Sequence, residues 1–132
     1  MEGVIMIVGR RKKGGSSSQI RERSQKSIDF ALDKIKRSEI APYVRKLYLY
    51  GSCARGEQEY NSDVDLLLEL DNSFDEKRYR EKTIILKGSV TPPDLDMPEV
   101  DLKIVIGDTW KNSPMLYYQN VKKEGINIWE EN

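Results

Sequence analysis

The tightest constraint on the fold lies between residues 46 and 70. Two apolar runs, Lys46 to Tyr50 and Asp63 to Leu70, are each of strand length, and the segment joining them opens with Gly51-Ser52 and ends on Ser62. In the second run Val64, Leu66, Leu68 and Leu70 alternate to one face, leaving Asp63, Asp65, Leu67 and Glu69 on the other. Its near-continuous apolar centre predicts an inner strand covered on both sides. The Gly-Ser turn and the two aspartates then lie at one edge of a small sheet.

The flanking sequence supplies the layers. From Gln19 to Arg37, Ile20, Ile28, Ala31, Leu32 and Ile35 share one face with charges opposite, which predicts an amphipathic helix ended by or before Ala41-Pro42. Asp75 to about Ser89 is helix-compatible, with Phe74, Tyr79 and Ile84-Ile85-Leu86 available for packing, and Thr91-Pro92-Pro93-Asp94 breaks it. Val100 to Ile106 alternates as a third strand. Ser113-Pro114 predicts a helix start with an N-cap serine, Gly125 its stop, and Leu116, Tyr117 and Val121 a shared face. Ile126 to Trp129 offers a last edge strand. The expected class is α/β (α+β), a small mixed β-sheet with helices packed on it.

At 132 residues the chain reads as one domain with a real core. Residues 1–18 read as a flexible basic N-terminal extension, a solvated tail, and residues 19–132 as the domain. The apolar run Gly3 to Val8 precedes its positive charges, so it matches neither a signal peptide nor a membrane span. Lys plus Arg equals Asp plus Glu at 22 each, which gives no general reason for nucleic-acid or membrane binding. A single cysteine, Cys53, points to a reducing, cytoplasmic setting, and it reads as a small semi-buried filler. With no histidine, a Ser-His-Asp triad and a histidine general base are excluded. Carboxylates are left to carry the chemistry.

Gly51 lets the backbone bend and approach a ligand closely, and Ser52 adds a hydroxyl beside exposed N–H groups, a pattern that suits a phosphate. Asp63 and Asp65, two apart on a strand, emerge on the same face about 6–7 Å apart at the backbone. Like charges at that spacing repel, and a hard divalent cation, magnesium or manganese, relieves the repulsion. A third carboxylate would complete a two-metal site. Asp94, Asp96, Glu99 and Asp101 are the candidates, and Asp101 is preferred because it alone opens an apolar strand as Asp65 does. Lys103 would then face the same way, toward a phosphate or as a surface lysine. Trp110, Tyr117, Tyr118 and Trp129 suit either a stacking surface or core packing.

Gly51-Ser52 followed by Asp63-Val64-Asp65 resembles the signature of the nucleotidyltransferase superfamily that includes DNA polymerase beta. The fuller pattern Gly51-Ser52-Cys53-Ala54-Arg55-Gly56, then Ser62-Asp63-Val64-Asp65-Leu66, is similar to its minimal, MNT-type branch. The resemblance covers residues 25 to 130 in element order, and its specific part is Gly51 to Leu68. It implies the nucleotidyltransferase fold, with Gly51 and Ser52 holding an NTP triphosphate and Asp63 and Asp65 ligating metals. Asp101 would serve the attacking side and help deprotonate the acceptor hydroxyl, and Arg55 would contact phosphate or pair structurally.

The same resemblance implies transfer of an NMP, AMP from ATP, onto a hydroxyl, with Mg2+ or Mn2+. The implied acceptor is a tyrosine of a HEPN-type RNase toxin, which makes the chain an antitoxin. The competing readings are a binding module that masks its partner sterically and an antibiotic-modifying transferase. The intact acidic pair and Gly-Ser turn argue against pure masking, and the lack of a further domain argues against the antibiotic reading. A polymerase acting on nucleic acid lacks room for its other domains.

Overall fold

A computed structural model describes residues 17–130. In chain order these are α1 (Ser17–Lys36), β1 (Val44–Tyr50), α2 (Ser52–Arg55), β2 (Val64–Leu70), α3 (Arg80–Ser89), β3 (Val100–Ile106), α4 (Leu116–Glu124) and β4 (Ile126–Asn127). The sheet runs β3-β2-β1-β4. β1 is antiparallel to both β2 and β4, while β2 and β3 are parallel, joined through α3. The sheet is therefore mixed, and β2 is an inner strand as its apolar run predicts.

Strand alternation divides the interior into two cores. On one face Val64, Leu66, Leu68 and Leu70 of β2 meet Val100 and Leu102 of β3, Leu47 and Leu49 of β1, and Ile28, Ala31 and Ile35 of α1. Leu66 and Leu68 are completely enclosed, and each contributes about 1.5–3 kcal/mol of burial. A register irregularity between Val44 and Lys46 lets Val44 and Leu47, three residues apart, face this same core. The other face is smaller: Tyr50, Leu67, Trp110 and Val121, with Tyr48, Val105, Tyr117 and Tyr118 packed around them. Trp110, Tyr117 and Tyr118 are thus packing residues of the second core, and Trp129 packs on the first.

Glu69 sits among these apolar groups at 2% exposure. Its carboxyl accepts from Trp110 Nε1 at 2.8 Å and lies 3.9 Å from Arg45 Nε, so the buried oxygens are partnered.

Several boundaries move from their expected places. α1 starts at Ser17, within the extension assigned to residues 1–18; the remainder of that extension, residues 1–16, lies outside the described residues. α3 starts at Arg80, because Asp75 closes a turn first, accepting from Arg78 N at 3.1 Å. Ile84 and Ile85 are 61% and 65% exposed and only Leu86 turns inward, since three consecutive helical residues cannot share one face.

Ser113 does not cap α4. Pro114 holds it extended (ψ 141°), its hydroxyl accepts from Met115 N at 3.2 Å, and the helix begins at Leu116. Leu116 is exposed and so does not share the buried face of Val121; five residues correspond to about 140° around a helix. Gly125 ends α4 as expected, and the last strand is limited to Ile126–Asn127. Among the described residues no helix is long and apolar enough to cross a membrane.

Candidate nucleotidyl-transfer site

The candidate residues collect at the edge of the second face, where β1 ends and β2 and β3 begin. Asp65 on β2 is the register partner of Asp101 on β3, and across the antiparallel pair of Tyr50 on β1. Gly51 follows Tyr50 directly. Asp63 lies just ahead of β2 and is exposed. Parallel pairing of β2 with β3 is what brings Asp65 and Asp101 together from 36 positions apart in the sequence.

Gly51 is confined by conformation and by space. Its φ of 78° and ψ of −157° lie in a region essentially reserved for glycine, and a Cβ there would stand 2.4 Å from Asp65 Oδ2. The backbone of the turn thus touches the carboxylate of the second strand. The turn continues into α2, a single turn of helix that ends at Gly56. Cys53 fills space beneath it, against the first core, and burial pushes its thiol up, away from reactivity.

Charge is crowded here. Burial raises the Asp65 carboxyl above the usual range, and the nearby Asp101 and Asp63 push the same way; Lys103 and Arg55 oppose them. Asp101 pairs with Lys103 Nζ at 2.9 Å. Burial alone would lower Lys103, but its bond to Asp101 and its nearness to Tyr50 outweigh this and hold it above the ordinary lysine value. Lys103 also lies 4.7 Å from the centroid of the Tyr117 ring. The Tyr50 hydroxyl is buried beside Lys103 without a hydrogen bond of good geometry; burial, opposed by Lys103 and reinforced by Asp65 and Asp101, pushes it up to about 12.

The rival third carboxylates are placed elsewhere. Asp94 accepts from Asp96 N at 2.9 Å and closes its own turn, and the Asp96 carbonyl accepts from Arg23 on α1. The Glu99 carbonyl accepts from Val64 N at 2.9 Å, and its side chain is exposed. Only Asp101 is in register with Asp65.

Among the described residues no three acidic or thiol side chains converge as a closed metal cage, Asp101 being drawn to Lys103. The donor set nonetheless fits a hard divalent cation: Asp65 and Asp101 are oxygen donors in adjacent register, and their mutual repulsion in a half-buried place is what such a cation relieves. Asp63, Asp65 and Asp101 are the residues that would hold it.

Arg55 takes the pairing role in this structure. Its Nε bonds Glu57 Oε1 at 2.7 Å, and its Nη1 donates to both carboxylate oxygens of Glu124, at 3.1 and 2.9 Å. Glu124 Oε2 also accepts from Gly51 N at 2.6 Å. The sequence carries no local signal for Glu124 beyond one oddity, an acidic residue in the last turn of a helix, where the dipole disfavours it.

A glycine turn thus stands against the first of two register-paired aspartates. The chain belongs to the nucleotidyltransferase domain family, whose model matches residues 24–116. A crystal structure of a candidate nucleotidyltransferase from Sulfolobus solfataricus is similar at 19% identity, with a TM-score of 0.51 over 93% of this chain and 94% of that one, a likeness of fold. A toxin-antitoxin structure with AMP-PNP is 22% identical, with a TM-score of 0.49 over 78% of this chain and 73% of that one. No curated protein matches the chain.

Proposed function

We propose that the chain transfers a nucleoside monophosphate, AMP from ATP, to a hydroxyl acceptor at the edge formed by Gly51, Asp65 and Asp101. The supporting observation is the register of Asp65 with Asp101 directly against the glycine turn. The Gly51 N–H, the Ser52 hydroxyl and Arg55 bind phosphate oxygens. Asp63, Asp65 and Asp101 hold Mg2+ or Mn2+, which supplies charge neutralisation for the phosphates and the departing pyrophosphate. Asp101 takes the proton of the acceptor hydroxyl as its oxygen bonds to the α-phosphorus and the bond to pyrophosphate breaks. Before that transfer Lys103, 2.9 Å away, balances the charge of the ionised Asp101. Most of the rate gain comes from positioning and charge stabilisation.

The acceptor we propose is a tyrosine of a HEPN-type RNase toxin, so that the chain acts as its antitoxin; the motif resemblance at Gly51 to Leu68 supports this. The test is to incubate the chain, with its co-purified partner, with α-labelled ATP and magnesium. Label on a partner tyrosine is the expected result. An unlabelled partner in an intact complex, whatever the NTP, would point to masking instead.

A further inference from the structure

We propose that Glu124 is an internal occupant of the phosphate cradle, a carboxylate that an incoming polyphosphate must displace. The proposal rests on the reading of Gly51 and Arg55 as phosphate donors given above. Both donors are already in use. Glu124 Oε2 accepts from Gly51 N at 2.6 Å, and both Glu124 oxygens accept from Arg55 Nη1, at 3.1 and 2.9 Å. A carboxylate offering two oxygens to a backbone N–H and a guanidinium presents the same acceptor chemistry as a phosphate edge.

Three further observations separate Glu124 from an ordinary surface acid. It is the last residue of α4, where a negative charge meets the negative end of the helix dipole, so its placement is not explained by the helix. Its partners are 73 and 69 residues away in sequence, across the mouth of the site. Its side chain is also largely enclosed, at 19% exposure, unlike that of a solvated surface acid.

The backbone around Glu124 is fixed independently of the contacts its side chain makes. Gly125 N donates to Val121 O at 2.8 Å, and a Cβ on Gly125 would meet that carbonyl at 2.5 Å. Ile126 pairs at once with Leu49. These anchors deliver Glu124 to the end of β1 beside Gly51. The side chain keeps 19% of its surface exposed, which leaves a way out to solvent through rotamer change alone. In the closed arrangement the Gly51 N–H and Arg55 Nη1 are occupied by the carboxylate; in the open one both can take an anion, while Arg55 keeps its Nε bond to Glu57. The apparent affinity for nucleotide is therefore reduced by the fraction of molecules that are closed.

The test compares the full chain with Glu124→Gln and Glu124→Ala by calorimetric titration, using two probes, ATP with magnesium and inorganic tripolyphosphate. Removal of the competing carboxylate, each of whose charge-assisted bonds contributes on the order of 1.5–3 kcal/mol, predicts tightening of about 10- to 100-fold for both probes in both variants. It also predicts that in unliganded Glu124→Ala the Gly51 amide proton resonance moves upfield, its carboxylate acceptor being gone, and returns downfield when either probe binds. If Glu124 merely braces the turn, the variants bind equally or more weakly, and that result overturns the proposal while leaving the site reading intact. If neither the wild type nor the variants bind either probe, the phosphate-site reading itself fails, and the displaceable carboxylate with it. Thermal unfolding of Glu124→Gln, which preserves shape, establishes that the comparison is between folded proteins.

Discussion

Asp65 and Asp101 are register partners on two parallel strands, and each carries a carboxylate toward the same edge of the sheet. Burial and Asp101 both raise the Asp65 carboxyl, so its ionised form opposes folding of the unliganded protein at neutral pH. Asp65→Asn is expected to melt a few degrees above the wild type by calorimetry, while nucleotide transfer falls by roughly a thousandfold or more. A melting temperature below that of the wild type would contradict the crowding.

Gly51→Ala meets two obstacles at once, a φ of 78° and a Cβ 2.4 Å from Asp65 Oδ2. The backbone penalty alone is about 1–3 kcal/mol, and relief of the contact requires Asp65 to move. Denaturant unfolding should show the loss of stability, and transfer should fall with it. Full activity in this variant would mean that the turn is not set against the carboxylate.

The Tyr50 hydroxyl is buried and pushed up to about 12, chiefly by burial. A raised folded value means that its stabilising contribution is complete below the unfolded value of about 10 and is lost as pH rises from there through about 12. Wild-type stability should therefore decline across that window. Tyr50→Phe, which cannot ionise, should flatten the decline. Parallel pH curves for the two proteins would contradict this.

Trp110 Nε1 is the close donor to the buried Glu69 carboxyl, with Arg45 farther off at 3.9 Å. Trp110→Phe leaves that oxygen short of a donor and should cost about 1–3 kcal/mol or more in denaturant unfolding. Combining it with Glu69→Leu should recover part of the loss. Strict additivity of the two changes would show that the bond contributes nothing.

The motif that carries the site was legible because its parts are local: a glycine turn after an apolar strand, then two aspartates on the next. The register of Asp101 with Asp65 is readable because β3 alternates cleanly and opens on an acid as β2 does, whereas Asp94 and Asp96 are tied into their own loop. Glu124 was not legible, since its role depends on β4 pairing with β1 and on contacts some 70 residues away. Ser113 misled for a physical reason: proline after it fixes an extended backbone, so the serine turns onto Met115 instead of capping α4. Ile84 and Ile85 misled because apolar composition does not specify which side of a helix faces inward.

A metal-nucleotide site held by Asp63 and Asp65 beside the glycine turn can be tested without knowing the acceptor. Manganese binding is followed by electron paramagnetic resonance with and without a non-hydrolysable ATP analogue, for the wild type, Asp63→Asn and Asp65→Asn. The account predicts that the analogue tightens manganese binding to the wild type and that either substitution weakens it by roughly a hundredfold, with the fold retained. Manganese and nucleotide binding unchanged in both variants would contradict it.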